Sequence, residues 1–285
     1  MVKRHEYLVG IDSDGCVFDT MEIKQKECFI PNIIKFWNLQ PIAKYVRETV
    51  EFVNLYSKWR GVNRWPALLM VFDLLSEREE VAERNVKVPE LKTLRQWVAS
   101  ETKLSNATLK AVVERTNDKE LANALSWSEK VNADIAEMVH GIPPFPHVVE
   151  CLQKLQDAAD LIVVSQTPHE ALEREWKEHG IDGYVQVIAG QEMGSKAEHL
   201  QAAMEGRWSC ERVLMIGDAL GDLKAARANK AMFYPINPGH EDSSWKRFSA
   251  EILNRVLEGT YSGEFMDKAI AEFEGYLPEV PPWRA

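Results

Sequence analysis

One apolar run stands alone near the start of the chain, and four counterparts follow only after residue 160. The first is "YLVGI" at 7–11; the others are "LIVVS" at 161–165, "YVQVIAG" at 184–190, "RVLMIGD" at 212–218 and "AMFYPI" at 231–236. Short β-type runs separated by helical segments predict a parallel α/β sheet. Between residues 21 and 143 the pattern turns to long helix-period stretches such as "IKQKECFIPNIIKFW" and "VRETVEFVNLYSKW", with little that reads as strand. This is the mark of an inserted helical domain. Its end is set by "GIPPFPHVVECLQKL", where Pro143, Pro144 and Pro146 cannot continue a helix and a new amphipathic helix starts near His147. The expected organisation is a core of residues 1–20 and 144–240, a helical cap of 21–143, and a helical C-terminal extension of 241–285 packed on the core.

Composition narrows the partners. The net charge of -10 and the lack of any Lys/Arg-rich run disfavour a nucleic-acid surface, so an anionic substrate would need a local positive site. Cys16, Cys28, Cys151 and Cys210 lack C-x-x-C spacing and read as reduced thiols. The basic start "MVKRHEYLVGI" is too short in its apolar part for a secretory signal, and no run reaches membrane-spanning length. The expectation is a cytoplasmic protein, monomer or homodimer, without nucleic-acid or membrane partners.

The chemistry sits where the apolar runs stop. In an open parallel sheet ligands bind outside the carboxyl ends of the strands. "YLVGIDSDGCVFDT" ends its apolar run at Asp12 and Asp14, which repel each other unless a metal ion, a phosphate-binding lysine or a shared proton intervenes. Ser165 ends the second run, Lys196 follows the third, and Asp218 and Asp222 in "GDALGD" follow the fourth. Carboxylates gathered so densely call for a divalent cation, and hard oxygen ligands beside a phosphate suit magnesium, with Lys196 as a point charge for the phosphate. A calcium loop of the EF-hand type is disfavoured, because Val17 and Ile23 stand where it needs glycine and glutamate.

"DSDGCVFDT", "VVSQT", Lys196 in "GSKAEHL" and "GDALGDLKAARANK" resemble, in order and spacing, the four motifs of the haloacid dehalogenase-like hydrolases. The resemblance covers roughly residues 5–20 and 144–240, and a cap placed directly after the first motif is the family's helical type. It implies a Rossmann-like parallel sheet core with an inserted all-helical cap. It further implies Asp12 as a nucleophile that forms an aspartyl-phosphate and Asp14 as the acid and base. Magnesium would be held by Asp12, the Asp14 carbonyl and Asp218, with Asp222 in support, while Ser165 and Lys196 hold phosphoryl oxygens. "TPHE", Thr167 to Glu170, has capping-box spacing and predicts a helix that begins beside the phosphate.

The cap carries less readable signals. Trp37, Trp59, Trp65, Trp97 and Trp127 could line a pocket, although tryptophans in helix bundles are more often core. In "WRGVNRWPAL", Arg60, Gly61 and Arg64 resemble the cap loop of β-phosphoglucomutase-like members and stand as substrate-binding residues; a solvated turn is the bland alternative. The leading function is a magnesium-dependent phosphatase acting on a small phosphorylated metabolite. A sugar phosphomutase and a catalytically silent binding protein on the same fold are the alternatives. Dehalogenase and phosphonatase chemistry are disfavoured, since those relatives lack the acid that Asp14 supplies.

Overall fold

Residues 1–284 are described in a computed structural model of the chain. It divides into two units: Met1–Met21 with Gly141–Val280, and Glu22–His140 with the segment that begins at Pro281.

The first unit is built on five parallel strands: β1 (Tyr7–Ile11), β2 (Ala159–Val164), β3 (Val187–Ala189), β4 (Val213–Gly217) and β5 (Met232–Pro235), in the order β3-β2-β1-β4-β5. All five residues of β1 are buried, which is why this run lacks polar alternation and why it takes the centre. Ile11 pairs with Val163 on one side and Ile216 on the other, so the carboxyl ends of β1, β2 and β4 are level. The 184–190 run yields only three paired residues, because Asp182–Tyr184 instead wind into a 3-10 turn at the sheet edge.

The helical unit starts in α1 (Thr20–Ile23), which straddles the boundary and runs through a π-helical stretch at Lys24–Phe29 into α2 (Ile30–Phe36). It continues with α3 (Ala43–Asn54), α4 (Arg64–Ser76), α5 (Glu79–Glu83), α6 (Lys92–Ser100), α7 (Asn106–Thr116) and α8 (Lys119–Met138). Its tryptophans are mostly interior. Trp65, Trp97 and Trp127 are buried, and edge-to-face contacts link Trp37 to Trp127, Trp127 to Trp65 and Trp65 to Trp97 at 5.4–5.8 Å between ring centres. The core reading holds for these, since such pairs add about 0.5–1.5 kcal/mol beyond area burial. From Pro281 onward the chain belongs with this unit rather than with the core helices: Trp283 lies 5.5 Å from the Phe52 ring, and the Arg78 guanidinium sits 4.4 Å over it.

Among the described residues seven α-helices accompany the sheet: α9 (Val148–Gln156), α10 (His169–Glu178), α11 (Lys196–Met204), α12 (Leu220–Ala228), α13 (Glu241–Arg247), α14 (Leu253–Leu257) and α15 (Glu264–Gly275). One sheet face meets Val148, Leu152, Trp176, Trp245, Phe248 and Val256; the other meets Leu200, Leu223, Ile270 and Phe273. Gly10 is the close-approach point. A Cβ there would stand 3.2 Å from Leu200 Cδ1, so glycine lets α11 lie tightly on β1. That fixes where the first turn of α11, and hence Lys196, can reach.

Candidate active site

The level strand ends bring the predicted core residues together. Asp12 follows β1, and its amide donates to Ile216 O at 3.0 Å, continuing the ladder one residue past the strand. Ser165 does the same after β2, donating to Ala189 O at 3.0 Å. Asp218 follows β4, Asp222 lies in the first turn of α12, and Lys196 opens α11. Asp12, Ser165, Asp218 and Asp222 are all buried.

Lys196 is the electrostatic hub. Its Nζ donates to Asp12 Oδ2 at 2.6 Å and to Asp222 Oδ1 at 2.7 Å. Burial works against the ammonium, but Asp12, Asp222 and Asp218 outweigh it and raise its pKa above the ordinary lysine range. Burial pushes Asp12 up to about 6, with Lys196 opposing and Asp218 adding to the rise. Asp222 is likewise pushed up to about 6 by burial, with Lys196 opposing and Asp12 reinforcing.

Ligand oxygens of Asp12, Asp218 and Asp222 lie within 4.8 Å of one another. Ionised, these three carboxylates and one ammonium leave two negative charges in a buried space. A divalent cation with hard-oxygen preference fits that donor set and that charge.

Asp14 is held differently. Thr20 Oγ1 donates to its Oδ1, and Thr167 Oγ1 donates to its Oδ2 at 2.6 Å. The capping box expected at Thr167 does not form. The Thr167 hydroxyl is taken by Asp14, Pro168 occupies the cap position, and the first free amide of α10, at His169, donates instead to Glu192 Oε2 at 3.0 Å. Thr20 escaped the sequence reading although it ends the quoted "DSDGCVFDT"; a hydroxyl six residues past Asp14 was the available signal. Gly217 escaped it too. A Cβ there would stand 2.3 Å from Asp222 Cγ, so only glycine lets Asp222 fold back, where its Oδ2 accepts from Ala219 N at 3.1 Å.

The cap-loop residues sit within the helical unit. Arg60 is buried and donates through Nη1 to Leu55 O at 2.9 Å, and Gly61 has φ +76, the left-handed bend that glycine favours. Arg64 is the first residue of α4. Its Nη1 donates to Ser128 O at 3.2 Å, Ser128 Oγ at 2.8 Å and Asn132 Oδ1 at 2.8 Å, and its guanidinium lies 5.1 Å from the Phe29 ring centre. Burial lowers its pKa to about 10, which leaves it charged at neutral pH.

Residues 83–234, more than half of the chain, match the family model described as haloacid dehalogenase-like hydrolase. That span contains Ser165, Lys196, Asp218 and Asp222, while Asp12 and Asp14 are joined to them by the fold. No curated protein matches the sequence. Among solved structures, a candidate phosphoglycolate phosphatase from Lactobacillus delbrueckii subsp. bulgaricus is similar, with TM-score 0.50 and 14% identity over 89% of this chain and 99% of that one. A haloacid dehalogenase-like family hydrolase from Xanthomonas campestris has TM-score 0.48 and 11% identity over 90% and 94% of the two chains. A haloacid dehalogenase-like family hydrolase from Streptococcus pneumoniae has TM-score 0.45 and 14% identity over 86% and 91%. With a parallel sheet whose strand ends gather these motif residues and a family match over most of that sheet, the chain belongs to the haloacid dehalogenase-like hydrolases.

Proposed function

We propose that this hydrolase is a magnesium-dependent phosphatase that cleaves a small phosphorylated metabolite through an aspartyl-phosphate. The observation that carries the reading is the contrast within one sheet edge. Asp12 lies 2.6 Å from a buried ammonium and inside a cluster of three carboxylates, while Asp14, two residues on, accepts from the hydroxyls of Thr20 and Thr167. One carboxylate is thus set to face an anion, and the other is held by hydroxyls that suit a group exchanging a proton.

Asp12 attacks phosphorus and the ester oxygen leaves, taking the proton of Asp14. Water then attacks the same phosphorus and passes one of its own protons to Asp14, the bond from Asp12 to phosphorus breaks, and the Asp12 carboxylate is restored with release of phosphate. Thr20 and Thr167 suit both stages, because a hydroxyl donates to the carboxylate and can rotate to accept from the acid. Lys196 and the Ser165 hydroxyl would hold phosphoryl oxygens. Asp12, Asp218 and the Asp14 carbonyl would hold the magnesium, with Asp222 in support, and the cation would supply neutralisation of the phosphate charge during attack. Arg60, Gly61 and Arg64 are proposed to recognise the part of the substrate that is not transferred. A cytoplasmic location fits the four free thiols, and no helix among the described residues is long and apolar enough to cross a membrane.

A panel of phosphorylated metabolites, scored for phosphate release with magnesium and with chelator, tests the proposal. Magnesium-dependent release from at least one ester is expected; none from any would refute it.

A further inference from the structure

Between the two aspartates stands Ser13, which the mechanism above does not use. Successive residues at the end of a strand point to opposite sides, so Ser13 turns away from the carboxylates and into the interior, where it is fully buried. A hydroxyl there costs about 1–3 kcal/mol if left unsatisfied. It is satisfied twice, and in a fixed sense. Trp176 Nε1, which can only donate, donates to Ser13 Oγ at 3.0 Å, so the Ser13 proton goes to Glu175 Oε2 at 3.2 Å.

The same serine organises the turn that follows. Its carbonyl accepts from the amides of Cys16, Val17 and Phe18 at 3.3, 2.8 and 3.1 Å, and its amide donates to Asp12 Oδ1 at 2.8 Å. Phe18 in turn meets Trp176 edge-on at 6.1 Å. Helix α10 therefore grips this turn at two points. Thr167, just before the helix, holds the Asp14 side chain, and Trp176 with Glu175, in its later turns, holds Ser13 from behind.

We propose that Ser13, Trp176 and Glu175 are positioning residues that set the placement of Asp12 relative to Asp14, with α10 as the rigid rule against which both are held. The inference rests on the phosphatase reading for its kinetic consequence. The three side chains stay on the far side of the backbone from the substrate and act only through the aspartates.

The test uses the full-length protein as Ser13→Ala, Trp176→Phe and Ser13→Thr, the last of which keeps the hydroxyl. Removing either partner should lower kcat about 10–100-fold, the usual effect of losing a group that orients a catalytic ligand, with KM within about twofold and circular dichroism unchanged. Ser13→Thr should recover most of the rate. Magnesium affinity, read by calorimetric titration without substrate, should fall about tenfold in Ser13→Ala and Trp176→Phe. A lower Tm with kcat and magnesium affinity both unchanged would make the network merely structural and overturn the proposal. If the wild type binds magnesium but releases phosphate from no ester, the phosphatase reading fails and the titration alone decides the positioning. A wild type that does neither overturns both.

Discussion

Lys196 in the sheet-bearing unit and Arg64 in the helical unit are both cations drawn out of water, yet they are satisfied in opposite ways. Lys196 is bracketed by two carboxylates, which raise its pKa against the penalty of burial. Arg64 is held by a carbonyl, a hydroxyl and an amide oxygen, all neutral, and burial lowers its pKa. The difference separates two kinds of positive site. Lys196 is matched to charges already present; in the proposed reaction it is shared with an incoming phosphate only as its carboxylate partners turn to other cations. Arg64 keeps its charge uncompensated by any described carboxylate, which leaves its attraction for an outside anion intact.

The comparison breaks first at the proposed nucleophile. Asp12→Asn should lower phosphate release by at least about 10⁴-fold, because the amide matches the carboxylate in shape but cannot form the acyl-phosphate. Circular dichroism should be unchanged, and near-wild-type turnover would remove Asp12 from that role. Asp14→Asn should cost about 10²–10⁴-fold and should hurt esters with poor leaving groups more than aryl phosphates; equal losses on both would take Asp14 out of the leaving-group step.

Smaller effects sharpen the contrast between the two cations. Asp218→Asn should raise the magnesium concentration for half-maximal rate about 10–100-fold, read from a metal titration of activity, and a flat response would place the cation elsewhere. Lys196→Ala should damage a metabolite and an aryl phosphate alike. Arg64→Ala should lower kcat/KM for the metabolite by about 10-fold while sparing the aryl ester, since remote binding energy is used to orient the reacting centre. An unchanged metabolite rate would leave Arg64 as a helix-start residue that ties α4 to α8.

The strand ends were legible because each of their residues either stops an apolar run or opens the next helix, a local signal that needs no partner. Asp12, Ser165 and Asp218 are of the first kind, and Lys196 and Asp222 of the second. What held them was not legible. Thr167 was read as a local cap, and its actual partner lies 153 residues away at Asp14. Nothing local marks Trp176, whose indole donates to Ser13 across 163 residues. Contacts of that range leave no periodicity behind, and neither does the grouping of Trp283 with α3, which depends on a ring that meets Phe52 edge-on and lies beneath the Arg78 guanidinium.

The central place of β1 also bears on how the chain is made. Its neighbours β2 and β4 lie roughly 150 and 200 residues further along, so at about 5–20 residues per second of synthesis the segment "YLVGI" waits on the order of ten to thirty seconds for its first partner. During that interval nearly all of the helical unit has already emerged. The nascent chain thus carries five bare apolar residues ahead of a bundle that can find its own contacts, and Asp12, the proposed nucleophile just past that strand, is the first site residue translated and among the last to be fixed in place.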